Sequence, residues 1–190
     1  MKIDFGCADR KCDGYIGIDV RPYPNLDILY DGGIIPLPDN SVDAIYSHMC
    51  LEHVDDFDLT IRELWRISKS GTIWELILPH ASNIRHRGVT DHKRLFCLHS
   101  FDNYGTATIQ NGWSNAFRKE VDLELVSVGL RWWEKDQIVR KVLWKRILVS
   151  TLDNVITWVA NLHPFFCERV WCNFVGGFDE VTLVLKVRKS

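Results

Sequence analysis

Two short apolar runs joined through a glycine turn constrain this chain more than any other feature. Ile3-Asp4-Phe5 leads into Gly6-Cys7-Ala8, and Tyr15-Ile16-Gly17-Ile18 leads into Asp19-Val20. Glycine directly after a strand reaches backbone angles closed to other residues and exposes bare backbone. A strand, a tight turn, a short link and a second strand with an acidic tip open an α/β unit with parallel strands. In such units ligands sit at the carboxyl ends of the strands, where a carboxylate can accept from two sugar hydroxyls. Two readings stand side by side on this fragment. One is a crevice for a ribose-bearing ligand over Gly6 and Asp19; the other is a plain strand pair with a polar end.

The rest of the chain narrows the class. Its 190 residues suffice for one domain with a full core. Hydrophobic residues make up 46% and charged residues 25%, which argues against disorder. A formal net charge of −2 gives no reason to expect nucleic acid as a partner. The cysteines at 7, 12, 50, 97, 167 and 172 are too sparse for a disulfide scaffold and lack CxxC spacing. Thiols in a reducing cytoplasm are the simpler expectation. No signal peptide is expected, since Lys2 leads at once into Ile3, and no apolar run reaches membrane-spanning length.

Strand-like runs alternate with helix-like segments from residue 3 to about residue 80, the pattern expected of an α/β parallel sheet. Leu26–Tyr30 reads as a third strand ending at Asp31-Gly32-Gly33, and Val42–Ser47 as a fourth. Leu59–Ser68 reads as a helix with Arg62, Glu63 and Arg66 facing water, stopped by Gly71. Trp74–Leu78 is a fifth strand, broken by Pro79, and Leu123 onward and Val181–Val187 supply two more. About forty-five residues separate that last pair, far more than a hairpin needs. Residues 134–178 therefore read as a helical insertion within a single domain, 1–190. Ile138, Val139, Val142, Leu143 and Ile147 fall on one helical face, with Arg140, Lys141, Lys145 and Arg146 on the other, and a second helix covers Leu152–Leu162. Five of the eight tryptophans lie between 132 and 171. Such a helix can pack on its own domain, form a homodimer, or lie peripherally on an acidic membrane.

The pieces in register extend the reading. They are Asp4-Phe5-Gly6-Cys7-Ala8, Gly17-Ile18-Asp19, Asp31 with Pro36–Asp43, Leu51-Glu52-His53-Val54, Glu63–Gly71 and Leu78-Pro79-His80. In order and spacing they resemble the class I S-adenosylmethionine-dependent methyltransferases, of the type 11 group, over roughly residues 2 to 80. Asp91-His92-Lys93-Arg94-Leu95-Phe96 is similar to a subgroup associated with glycan or cell-surface polymer synthesis. The resemblance implies a Rossmann-like, mostly parallel seven-stranded sheet with helices on both faces, and an antiparallel last strand inserted between the fifth and sixth. Two departures stand out: Ala8 occupies the second glycine position of the family turn, and the given sequence starts almost on the first strand, from which the expectation is either a sheet face without cover or a lid that comes from elsewhere.

The resemblance also implies roles. Gly6, Cys7 and Ala8 would lie under the methionine and ribose of S-adenosylmethionine. Asp19, with Val20 beside it, would accept from the ribose hydroxyls. Asp31 and Gly32 would meet the adenine, and Ser47 and His48 the sulfonium end. The acceptor would be a small molecule, sugar or lipid-linked compound, methylated at oxygen, with His80 as general base. His80, His86, His92 and His99 fit no familiar zinc spacing, so no metal is expected. Arg85, Arg87, Lys93 and Arg94 can hold an anionic acceptor or form a solvated loop. The competing readings are a degenerate methyltransferase fold serving as a scaffold, and a nucleotide-dependent oxidoreductase. The latter usually shows three glycines opening a longer helix, which Cys7–Asp13 leaves little room for.

Overall fold

A computed structural model describes residues 1–105, 120–132, 143–172 and 177–189. The strands are β1 (Lys2–Phe5), β2 (Ile16–Asp19), β3 (Ile28–Leu29), β4 (Val42–His48), β5 (Ser68–Pro79), β6 (Asp122–Arg131) and β7 (Glu180–Arg188). The helices are α1 (Phe57–Ile67), α2 (Ile84–Arg87), α3 (Leu143–Leu162) and α4 (Pro164–Phe166). The strands form one sheet in the order β3-β2-β1-β4-β5-β7-β6. The pairs from β3 to β5 are parallel, and β7 runs antiparallel between β5 and β6. The mostly parallel seven-stranded sheet and the antiparallel last strand between the fifth and sixth are as the resemblance implies.

The links after β1, β2 and β3 run as irregular loops rather than helices. Residues 6–15 are too few and too polar to form an amphipathic helix and return to the sheet. Cover comes instead from loop side chains. A Cβ on Gly17 would meet Cys7 Sγ and Lys11 Cδ, each at 2.7 Å, so the 7–11 loop lies directly on β2.

Period-two alternation sets the core. Ile3, Phe5, Ile18, Ile45, Trp74, Leu76, Leu183 and Leu185 are almost fully buried, with Ile61, Leu64 and Ile67 of α1 also inside. On the other parity Ile73 is 38% exposed and Glu75 and Lys186 are exposed, so that face is open over β5 and β7.

α1 begins where Asp56 accepts from Leu59 N at 2.9 Å. It ends at Ile67, before Gly71 is reached, because Ser68 starts β5: its Oγ donates to Leu64 O and accepts from Trp74 Nε1. Glu63 and Arg66 do not face water as expected. Glu63 accepts from Ile35 N at 2.9 Å and from Arg66, which also reaches Ile35 O, Leu37 O and Asp39. The Arg66 hydrogen bond holds the Glu63 carboxyl below its usual range. The pair thus clamps the 35–39 loop to α1.

The sequence-predicted helix starting at Gln137 lies partly outside the described residues. From Leu143 the chain runs as one helix to Leu162 rather than breaking before 152. α3 seals the edge strand β6: Asn161 accepts from Leu130 N and donates to Leu130 O, and Thr157 accepts from Trp132 N. Asp153 and Ala160 are buried on this side. The opposite side carries Leu152, Val155, Trp158, Val159 and Leu162 in the open, continued by Phe165 and Phe166. No described helix is long and apolar enough to cross a membrane.

Candidate cofactor site

A cavity of about 240 Å³ opens at the carboxyl ends of β1, β2 and β3. Phe5 and Gly6 line it from β1, Asp19 and Val20 from β2, and Tyr30, Asp31 and Gly32 from the end of β3. The turn between β4 and α1 supplies Cys50, His53, Val54, Asp55 and Asp56, and α1 supplies Thr60.

Gly6 is required there twice over. Its φ is +76°, and a Cβ would stand 2.2 Å from Cys50 Sγ and 2.3 Å from Cys50 Cβ. Ala8, where the family has glycine, takes the left-handed conformation a glycine would, at φ +48°. Met49, just past β4, does the same at φ +50°. Strained residues of this kind gather at functional turns, held by surrounding structure.

Asp19 is aimed by its neighbours. Ala8 N donates to Oδ2 at 3.0 Å and Arg21 N to Oδ1 at 2.9 Å. A carboxylate has about four lone-pair sites, so each oxygen keeps one for a ligand hydroxyl. Asp31 closes its own turn by accepting from Gly33 N, and Gly32 has nothing within 4 Å of where a Cβ would be. Gly6, Asp19, Val20, Asp31 and Gly32 therefore meet around one space.

The other four sequence-predicted cofactor residues stand off it. Cys7 is buried beneath the turn, and burial pushes its thiol up to about 11. Ala8 offers only its backbone, to Asp19. Ser47 is fully buried with no partner for Oγ among the described residues. His48 is partly exposed, with Nε2 4.0 Å from Glu180 Oε1.

His80 also lies away from the cavity lining and is 2% exposed. Its Nδ1 accepts from Ser82 N, so the proton sits on Nε2, 3.0 Å from Glu168 Oε1. Burial raises the Glu168 carboxyl, but hydrogen bonds from His80 and Leu98 outweigh it and hold the group low. In this arrangement neither His80 nitrogen has a lone pair free for an acceptor's proton. The basic loop is similarly engaged: Arg87 donates to Ala81 O, Lys93 pairs with Asp55, and Arg94 donates to Val54 O.

Reading along the sequence passes over Cys50, Asp55, Asp56 and Thr60, and gives His53 no role beyond its place in the Leu51-Glu52-His53-Val54 run. Only the position of the 50–56 turn beside Gly6 and Asp19 brings them to the cavity wall. The Leu51-Glu52-His53-Val54 run was the signal that could have led to them.

Residues 21–74 match a family model described as a methyltransferase domain. Curated proteins offer no sequence match. Among solved structures, the YcgJ protein of Bacillus subtilis is similar at 14% identity and a TM-score of 0.56, over 100% of this chain and 92% of that one. A SAM-dependent methyltransferase of Archaeoglobus fulgidus is similar at 14% identity and 0.54, over 97% and 85%. A chain from a Haloferax volcanii complex containing the Trm112 methyltransferase activator is similar at 14% identity and 0.56, over 99% and 82%. The chain has the Rossmann-like fold found in S-adenosylmethionine-dependent methyltransferases.

Proposed function

We propose that this chain is an S-adenosylmethionine-dependent methyltransferase that acts at an oxygen of a small acceptor, of the sugar or lipid-linked class, in the cytoplasm. The observation that carries the reading is the cavity over the Gly6 turn, with the Asp19 carboxylate fixed by two backbone N–H groups and still able to accept. Its volume falls just below the roughly 300 Å³ at which drug-sized ligand sites begin. That suits a nucleoside portion with its tail running toward the open side, and not a whole dinucleotide.

In this reading Asp19 takes the ribose hydroxyls, Asp31 the adenine amine, and Gly6 and Gly32 give backbone approach without side-chain obstruction. Cys7, Ala8 and Ser47 support the turn and strand from behind, and His48 marks the sulfonium side. When bound, the cofactor supplies a methyl group already activated on a positively charged sulfur. What remains for the protein is to align the acceptor and exclude water. His80 enters as a positioning residue: through Glu168 it fastens the insertion to the end of β5.

The ridge on α3 and α4 supports a lipid-linked acceptor. Trp158 is 65% exposed, Leu162 64% and Phe166 61%. Aromatic and aliphatic side chains following Arg140, Lys141, Lys145 and Arg146 suit an anionic lipid surface.

Calorimetry with S-adenosylhomocysteine tests cofactor binding, and labelled methyl transfer to a panel of sugar and lipid-linked hydroxyl acceptors tests turnover. Binding and transfer are expected. Binding without transfer to any acceptor would favour the scaffold reading, and absence of binding would refute the cofactor assignment.

A further inference from the structure

Beside the cavity, two loops bring together a carboxylate and two imidazoles that are distant in sequence. Glu52, His53 and His92 each offer one ligating atom within 4.8 Å of the others. Glu52 is fully buried on the 50–56 turn, yet neither carboxylate oxygen has a hydrogen-bond partner among the described residues. His92 Nδ1 is likewise buried without one. Burial pushes this carboxyl up to about 7, so a positive partner seated beside it would be stabilising.

The orientation of His53 is specific. Its Nδ1 lies 3.2 Å from Asp91 O and 3.4 Å from Asp91 Oδ2. Both are acceptors, so the ring proton belongs on Nδ1 and the lone pair on Nε2. Nε2 lies 3.9 Å from Glu52 Oε1. Imidazoles that bind metal usually have their other ring N–H held in this way by a carbonyl or carboxylate.

The loops are fixed to one another. Lys93 N donates to Glu52 O at 2.8 Å, Lys93 pairs with Asp55, and Arg94 donates to Val54 O at 2.6 Å. Ligands at about 2.1 Å around a tetrahedral ion stand about 3.4 Å apart, so closure needs about an ångström of side-chain rotation.

We infer that Glu52, His53 and His92 form a binding site for a divalent first-row cation, of which zinc is the first candidate. Two imidazoles and one carboxylate, with no thiolate, suit zinc, iron or nickel, and leave coordination positions open. Since His53 also lines the cavity, the ion borders the space assigned to the cofactor and acceptor. An acceptor oxygen bound there would be more acidic, which supplies the activation that His80 is not placed to give. That last role rests on the proposed methyl transfer; the metal site does not. The four histidines at 80, 86, 92 and 99 gave no such indication because only His92 among them joins this set.

The test uses the full chain, stripped with a chelator and titrated with Zn(II) in competition with a chromophoric chelator, and separately with Co(II). Expected are one equivalent per chain and a Co(II) d–d spectrum without a thiolate charge-transfer band. His92→Gln and Glu52→Gln should each weaken zinc at least about tenfold, with circular dichroism confirming the fold. His92→Gln lies on a surface loop, so it keeps the test valid if the buried Glu52 variant does not fold. Asp91→Ala removes the carboxylate but keeps the carbonyl that holds His53 Nδ1–H, so it should weaken zinc less than His92→Gln does. No saturable binding, binding unchanged in His92→Gln, or a thiolate band would overturn the site. S-adenosylhomocysteine binding, measured on the same stripped protein, separates the two ideas. Zinc binding without it supports the metal site and counts against the methyltransferase, and the reverse refutes the metal site alone.

Discussion

Replacing Asp19 by alanine tests the cofactor site most directly. The carboxylate receives Ala8 N and Arg21 N, and its remaining lone pairs face the cavity. Removing it loses at least one charged hydrogen bond to a ribose hydroxyl, worth about 1.5–3 kcal/mol. That corresponds to about 10- to 150-fold in the dissociation constant of S-adenosylhomocysteine. The two backbone donors also lose their acceptor. Both lie near solvent, so water can replace it, and the cost in folding should stay near 1 kcal/mol per bond. Asp19→Asn keeps the shape but sets an amide N–H₂ against one of those donors, so it should fall between wild type and alanine. Calorimetry gives the affinities, and a urea titration of each variant separates lost contacts from lost structure. An unchanged affinity in a folded Asp19→Ala protein would remove Asp19 from the site and refute the reasoning.

Other positions give independent checks. Gly6→Ala should cost at least about 2 kcal/mol in urea unfolding, from its positive φ and overpacking against Cys50. Adding Cys50→Ala should not restore it, because Cys50 Cβ is itself in the way; full rescue would show that the clash is with sulfur alone. Ala8→Gly should leave stability unchanged or raise it by up to about 1 kcal/mol, seen as a higher melting temperature, by relieving the left-handed backbone; a clear loss would show that the methyl group is needed. Arg66→Met should cost about 1.5–3 kcal/mol by releasing Glu63 and the 35–39 loop. Because Arg66 depresses the Glu63 carboxyl, that stabilisation is complete above the ordinary carboxyl range and is lost as pH falls through the depressed value. Urea midpoints at falling pH should therefore show a flatter acid limb in the variant, and parallel limbs would contradict the sign. Trp158→Glu should abolish co-sedimentation with anionic vesicles while sparing S-adenosylhomocysteine affinity; no vesicle binding by the wild type, or a dimer dissociated by the variant, would replace lipid with a second copy of the chain.

Much of the fold was readable because its determinants are local. A strand announces itself by alternation, a turn by a glycine forced to positive φ, and a strand-end carboxylate by its place in the run. Hence the strands and the acidic tip at Asp19 could be anticipated from the residues themselves, whereas the place of the last strand and the meeting of Gly6, Asp19, Asp31 and Gly32 came only from the family resemblance. Glu63 and Arg66 were misplaced because helical periodicity shows which face is apolar, not which loop will lie on the polar one. His80 has the right position in the chain for a base, but its availability depends on Ser82 and on Glu168, which is 88 residues away.

Composition and spacing by themselves determined an α/β domain, its strands and the turn on which a nucleoside can rest, because each depends on residues within a few positions of one another. The tertiary structure alone decided that Cys50 presses on Gly6, that one side of α3 is left apolar and open, and that Glu52, His53 and His92 face each other. Each of these is a through-space contact between loops or layers, and the energy of such contacts depends on closures that no local pattern records.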